Sequence, residues 1–352
     1  MGHVRRRTFF QQVGLAAVAS GLPPNFNMAE KILDDRSRVI KPARLREGAR
    51  VALIAPASSF SEEKLANART NFTNLGFTLV EGKNLYAQNG YLAGTDTQRL
   101  ADVHEAFANP EIDAIWCIRG GYGCTRLLPH IDFDLIRRNP KPFIGYSDIT
   151  ALHLAIHSKT GLVTFHGPVA AASFPDATLR HFRAALMEPL AEYAITTPEQ
   201  AAELPGDEFV PFLIAPGAAD GVLTGGNLSL LAALAGTPWM PAFRDRIVCI
   251  EDVGEQPYRI DRMLTQLLQA TDLSRAAGIA LGVFSGCKPK GEGPSQSLAE
   301  TLKDKLGGLG MPIIYGIPFG HVDIQATLPF GIHAALDTAK GSLTLLEKAV
   351  KE

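Results

Sequence analysis

The sequence is short of several things that would fix a function class at once. Its 352 residues include only four cysteines and no Cys-x-x-Cys pair, which argues against a disulfide scaffold or a zinc ribbon. No apolar run approaches the roughly 20 residues of a membrane-spanning core helix. Net charge is small, 34 − 36 = −2, so bulk electrostatics favour neither nucleic acid nor an anionic membrane. Gly-x-Gly-x-x-Gly is absent, no lysine follows a glycine loop, and there is no His-Glu-x-x-His. No internal repeat is visible. Hydrophobic residues make up 46% and charged residues 20%, values that suit a globular protein with a full core. The 33 glycines and 23 prolines are spread without a period and read as tight connections between short elements.

The first segment reads as an address. Arg5-Arg6-Arg7 precedes an uncharged stretch from Val13 to Leu22, the size of a signal-peptide core. Arg6-Arg7-Thr8-Phe9-Phe10 resembles a twin-arginine export signal, and Ala17-Val18-Ala19 offers a cleavage site. A periplasmic, already folded protein is expected; the alternative is a basic start on a cytoplasmic one. The expected organisation is a signal over 1–22, a tether over 23–46, a first domain over 47–188, a linker over 189–216 and a second domain over 217–352. The linker assignment rests on an acidic, proline-bearing stretch without clean periodicity.

Within the first domain, strand-like runs at 50–56, 77–81, 114–118 and 143–146 alternate with helical patterns. Ser59-x-x-Glu62 and Thr95-x-x-Gln98 read as capping boxes. Strands at 221–225, 246–251, 277–284 and 312–316 alternate with helices at 227–236, 257–271 and 295–307, and 325–346 reads as short closing strands. This is an α/β pattern, with parallel strands carrying sites at their carboxyl ends.

Two loops stand at such ends. Phe143-Ile-Gly-Tyr-Ser147-Asp148 runs from a strand directly into a helix. A serine there projects its hydroxyl from the sheet edge, and the next N–H faces the same space. The second glycine of Gly-x-Ser-x-Gly is missing, so Ser147 reads either as a nucleophile or as a helix N-cap. Arg119-Gly120-Gly121-Tyr122-Gly123 follows another strand, and its glycines let backbone N–H groups approach a ligand. Bases are plentiful: His153 and His157 lie one helical turn apart and suit packing, His166 ends a short strand, and His321 follows a glycine turn. Glu251 and Asp252 end an apolar run, and spacing leaves the choice between them open.

These blocks, together with Asn139–His153, Phe165-His-Gly-Pro168, Gly225-Gly-Asn-Leu228, residues 251–263 and Gly320-His321, resemble the serine LD-carboxypeptidases (muramoyltetrapeptide carboxypeptidases) and their microcin-immunity relatives. The resemblance spans 50 to about 346. It implies a two-domain α/β fold: a mainly parallel, flavodoxin-like first sheet, a mixed second sheet, and the active site in the cleft between them. It further implies Ser147 as nucleophile, His321 as base, Glu251 as the carboxylate that orients it, and oxyanion donors at the N–H of Asp148 and Gly121. Arg119, Tyr122, His166 and Asn227 are the candidates for touching substrate, with Arg259 and Arg262 as further cations for its carboxylate. The implied reaction removes terminal D-alanine from murein tetrapeptide, without metal or cofactor, in a homodimer. Family members known for wall recycling resemble cytoplasmic enzymes, so the export signal leaves the physiological substrate open. Two other readings stand beside the first: a microcin-immunity-like peptidase or amidase on a modified peptide, and a non-catalytic periplasmic peptide binder.

Overall fold

The computed structural model describes residues 39–197 and 209–352. The expected signal at 1–22 lies outside the described residues, as do 23–38 of the expected tether and 198–208 of the expected linker.

The first half alternates strand and helix: β1 (Arg50–Ile54), α1 (Glu62–Asn74), β2 (Thr78–Glu81), α2 (Asp96–Ala108), β3 (Ala114–Cys117), α3 (Phe133–Arg138), β4 (Phe143–Gly145), α4 (Thr150–Thr160), β5 (Thr164–His166) and α5 (Asp176–Leu186). The five strands are mutually parallel. The side chains of β3 are buried throughout, as a central strand covered on both faces requires. The second half comprises β6 (Tyr193–Thr196), β7 (Phe212–Ala215), β8 (Ala218–Asn227), α6 (Leu228–Leu234), β9 (Arg246–Val253), α7 (Pro257–Ala270), β10 (Gly278–Ser285), α8 (Leu298–Leu306), β11 (Ile313–Gly320), β12 (Leu328–Phe330), β13 (His333–Asp337) and β14 (Ser342–Leu345). Strands β8 to β11 are parallel, and β6, β14 and β13 on one side and β7 on the other complete a mixed sheet of eight. The expected two-sheet α/β fold is the one observed.

Several local expectations shift. Residue Ser61, not Ser59, caps α1, its Oγ accepting from the Lys64 N–H. Ser59 is engaged elsewhere: its N–H bonds the Tyr91 carbonyl and its own carbonyl accepts from Arg119. Thr95 and Gln98 do form the reciprocal box at the start of α2. Strands β6 and β7 lie inside the expected linker; both are edge strands, where half-exposed side chains give no strong alternation. The end of the expected tether is ordered against the first half, with Leu45 buried and Ile40 bridged to Leu162.

The two halves share apolar packing. Helix α4 is buried on nearly all sides, because it packs on the first sheet and also against α6 and β8. Strand β12 crosses back from the second half to pair antiparallel with β5. At the seam, the Thr150 hydroxyl accepts the Asn227 N–H at 3.0 Å. Just before it, β8 carries Gly225 at φ +129, where a Cβ would lie 1.9 Å from the Cys249 carbonyl oxygen of β9. Only glycine permits that approach. Gly225→Ala is therefore expected to cost about 3 kcal/mol or more, because the obstacle is backbone that cannot rotate away. Gly308→Ala, with nothing within 4 Å, should stay within about 0.5 kcal/mol. Chemical denaturation of the two variants checks the contrast, and equal stabilities would refute it.

Candidate active site

Strand β4 ends at Gly145, and the chain reaches α4 through Tyr146 and one 3-10 turn over Ser147–Ile149. Ser147 has φ +65, one of two non-glycine residues with positive φ among those described. Holding a serine in the left-handed region costs on the order of 1–3 kcal/mol and persists only where the surroundings over-determine it. Its hydroxyl does not cap a helix: neither the 3-10 turn nor α4 has a side-chain capping bond. The capping alternative left open by the residues is thereby removed.

The glycine loop after β3 packs against this turn. A Cβ on Gly120 would lie 2.8 Å from Ser147 Cβ and 3.1 Å from both Ser147 Oγ and the Asp148 nitrogen. The close approach is possible only because the side chain is a hydrogen atom. Arg119 donates from Nη1 to the Ser59 carbonyl at 2.9 Å and from Nε to the Gly120 carbonyl at 3.1 Å. The exposed ring of Tyr122 stands edge-on to exposed Tyr91, centroids 5.6 Å apart.

In the second half, Glu251 and Asp252 lie near the carboxyl end of β9, just before its last residue, Val253. Glu251 is fully buried, and its Oε2 accepts from His321 Nδ1 at 2.8 Å. Asp252 turns toward the start of α6 and accepts from the Ser229 N–H at 3.1 Å and hydroxyl at 2.8 Å. The side-chain partners thus decide what spacing could not: Glu251, and not Asp252, meets the histidine. The Asn227 amide lies between the two carboxyls, donating from Nδ2 to Glu251 Oε1 at 3.2 Å and to Asp252 Oδ1 at 3.1 Å. Burial, joined by the charge of Glu251, pushes Asp252 up to about 6.

His321 follows β11, its carbonyl held by the Ser285 hydroxyl at 2.7 Å. Burial opposes its charged form, but the charge and hydrogen bond of Glu251, with Asp252 behind, outweigh this and raise it above the ordinary histidine value. The ring of Tyr146, the residue before Ser147, meets the His321 ring edge-on at 4.7 Å between centroids. Histidine and serine turn therefore come together although 174 positions separate Ser147 from His321 in the chain.

The substrate candidates divide. Tyr122 is open to solvent, while Arg119 is partly buried and already bonded to backbone. His166 is fully buried among Tyr146, His153, Phe319 and Phe330 because β12 closes over β5, and burial drives its imidazole far below the usual range. Asn227 is also buried, its amide spent on the carboxylates. Neither can touch a substrate from its observed position. Arg259 and Arg262 flank the Tyr258 ring on the exposed face of α7. His153 packs inside α4 with Nε2 on the Gly145 carbonyl at 2.8 Å, and His157 Nδ1 lies 3.0 Å from the Leu162 carbonyl. Among the described residues, no group of three or more His, Cys, Asp or Glu side chains is arranged to hold a metal ion. Sequence reasoning missed Thr150, Ser58 and Arg99 as anchors, since a hydroxyl or guanidinium that bonds distant backbone leaves no local pattern.

The chain matches the LD-carboxypeptidase N-terminal domain over residues 51–167 and the LD-carboxypeptidase C-terminal domain over 220–336. It is 42% identical to a probable murein peptide carboxypeptidase of Bacillus subtilis, over 89% of this chain and 96% of that protein. It is 37% identical to the murein tetrapeptide carboxypeptidase of Pseudomonas aeruginosa, over 82% and 93% respectively. Among solved structures, the microcin C7 self-immunity protein MccF in complex with glutamyl sulfamoyl guanosine superposes with a TM-score of 0.80 at 27% identity, covering 88% of this chain and 99% of that one. With both domain models matched in order and relatives similar along nearly their full length, this chain belongs to the LD-carboxypeptidase family of peptidases.

Proposed function

We propose that the protein is an exported serine carboxypeptidase that releases terminal D-alanine from murein tetrapeptides. Ser147 Oγ attacks the carbonyl carbon of the amide between the L-centre and D-alanine, while His321 Nε2 takes the hydroxyl proton. Glu251 holds Nδ1–H, fixes the tautomer and stabilises the imidazolium. The tetrahedral oxyanion accepts from the N–H groups of Asp148 and Gly121. As the C–N bond breaks, the imidazolium returns its proton to the departing D-alanine nitrogen. Water, activated by the same histidine, then cleaves the acyl-serine ester and frees the tripeptide.

The observation that carries this reading is the 2.8 Å bond between His321 Nδ1 and fully buried Glu251, beside a serine held at φ +65. A peptide-binding protein without catalysis has no use for a strained serine at such a place. The names of the relatives support murein peptides as the substrate class. MccF supplies a second class for the assay, acyl sulfamoyl nucleosides. The twin-arginine start supports a site of action outside the cytoplasm.

Incubating purified protein with muropeptides and reading products by mass spectrometry tests the reaction, with pentapeptides, L-terminal peptides and an acyl sulfamoyl nucleoside as comparators. Ser147→Ala should lose on the order of 10⁵- to 10⁶-fold in kcat while remaining folded; wild-type release of D-alanine by that variant would sink the mechanism. Ser147→Gly should be equally inactive yet about 1 kcal/mol more stable than Ser147→Ala, because glycine relieves the left-handed backbone. Thermal unfolding of the two variants side by side decides this.

The pH dependence follows from the raised His321. Activity needs the neutral ring, so the acid limb of kcat/KM should lie above the ordinary histidine value of about 6.5. Removing the charge in Glu251→Gln leaves burial as the dominant influence on the ring. The limb should then move to lower pH, with kcat reduced on the order of 10⁴-fold. An unmoved limb would show that another group titrates. The stability sign is opposite: the imidazolium–Glu251 pair contributes fully below about pH 6.5 and is lost as pH rises through the raised folded value.

A further inference from the structure

The glycine loop that carries one proposed oxyanion donor has no regular structure of its own from Arg119 to Gly123. It is pinned from outside. Arg119 Nη1 reaches the Ser59 carbonyl at 2.9 Å, the Tyr122 N–H donates to Ser58 Oγ at 3.0 Å, and Arg99 Nη1 donates to the Gly123 carbonyl at 3.0 Å. Arg99 is itself buried and also bonds the Pro56 carbonyl. These three bonds fasten the loop to the chain after β1 and to α2. A fourth runs elsewhere: the Cys124 N–H, at the far end of the loop, donates to Asp148 Oδ2 at 2.8 Å. This bond joins the loop to the turn that holds Ser147.

Asp148 is nearly fully buried. Burial pushes its carboxyl above the usual range, an effect that the Cys124 N–H and the nearby Arg99 only partly oppose. A buried carboxyl beside a site that must accept a developing negative charge is costly twice, through desolvation and through repulsion. What it provides is an acceptor at one defined place. The carboxylate and the N–H of Asp148 hang on a single Cα. A bond from that carboxylate to Cys124 therefore sets the loop's position relative to the other proposed donor.

We propose that the Asp148 side chain is a positioning residue: it latches the glycine loop to the nucleophile turn and so fixes the separation of the two oxyanion donors. This assignment rests on the mechanism proposed above for the same site. An aliphatic side chain could fill the volume but would leave the buried Cys124 N–H without an acceptor. A neutral amide could replace the carboxylate, because the latch needs an acceptor and not a charge.

The test uses the full chain with three variants, steady-state kinetics on murein tetrapeptide, and amide hydrogen exchange of peptides covering 119–124. Asp148→Ala should lower kcat and kcat/KM together, by about 10- to 100-fold, the signature of misplaced transition-state donors. Exchange should accelerate in the loop and stay unchanged in α4. Asp148→Asn keeps the acceptor and should recover most of both losses. Asp148→Glu keeps the charge but moves the acceptor by one methylene, so it should lose activity; it also keeps the test open if the alanine variant does not fold. Unchanged loop exchange in the alanine and glutamate variants would overturn the latch whatever their activity. An asparagine variant as impaired as alanine would overturn it too, since charge would then be the operative property. If the wild type releases no D-alanine from murein tetrapeptide, the functional reading fails, while the exchange measurements still decide the latch.

Discussion

Four hydrogen bonds at Asn227 tie the two halves of the site together. Its backbone N–H meets Thr150 on the helix that follows Ser147, its Nδ2 serves both Glu251 and Asp252, and its Oδ1 accepts from the Leu230 N–H to cap α6. Two adjacent carboxyls buried in one place lose hydration and repel each other, so each needs donors that are themselves fixed. A single amide shared between them meets that need and carries its position across the seam to the nucleophile's helix. Replacing it would leave two buried acceptors short of partners, which is costlier than losing one exposed contact.

The electrostatic consequences run outward from this pair. Asp252 is satisfied by the Ser229 N–H and hydroxyl at the start of α6, which leaves Glu251 free to engage His321. The histidine is thereby held more basic than a buried imidazole would be alone. His153 shows the contrast: fully buried and lacking a carboxylate, it is driven down to about 4. Geometry is supplied separately. The left-handed Ser147 is braced by β4 before it, by α4 after it, and by a glycine loop pressed flat against it. Backbone strain survives only under such bracing.

Much of the architecture was legible in the residues. The alternation of apolar runs with helical periodicity announced an α/β fold, and the ends of β3, β4 and β9 marked the loops that matter. Legibility failed where the determinants are not local. Edge strands β6 and β7 lie in a stretch without alternation, and β12 crosses into the first sheet from far along the chain. His166 looked like a cleft residue because it ends a strand, but the crossing strand buries it. Asn227 looked like a ligand contact, yet its register opposite Glu251 on β9 commits it to the interior. Ser59 fitted a capping box, and tertiary bonds to Tyr91 and Arg119 moved the cap two residues on.

By itself the sequence determined most of the elements, because periodicity and caps are properties of neighbouring positions, and its ordered motif blocks carried the family and, through that resemblance, the residues proposed for catalysis. The tertiary structure alone decided which of two adjacent carboxylates meets the histidine, which polar candidates are exposed, and how the serine turn is braced. Those outcomes depend on register and on contacts between residues from about two dozen to well over a hundred positions apart, where the free energy of burial acts and no local pattern reaches.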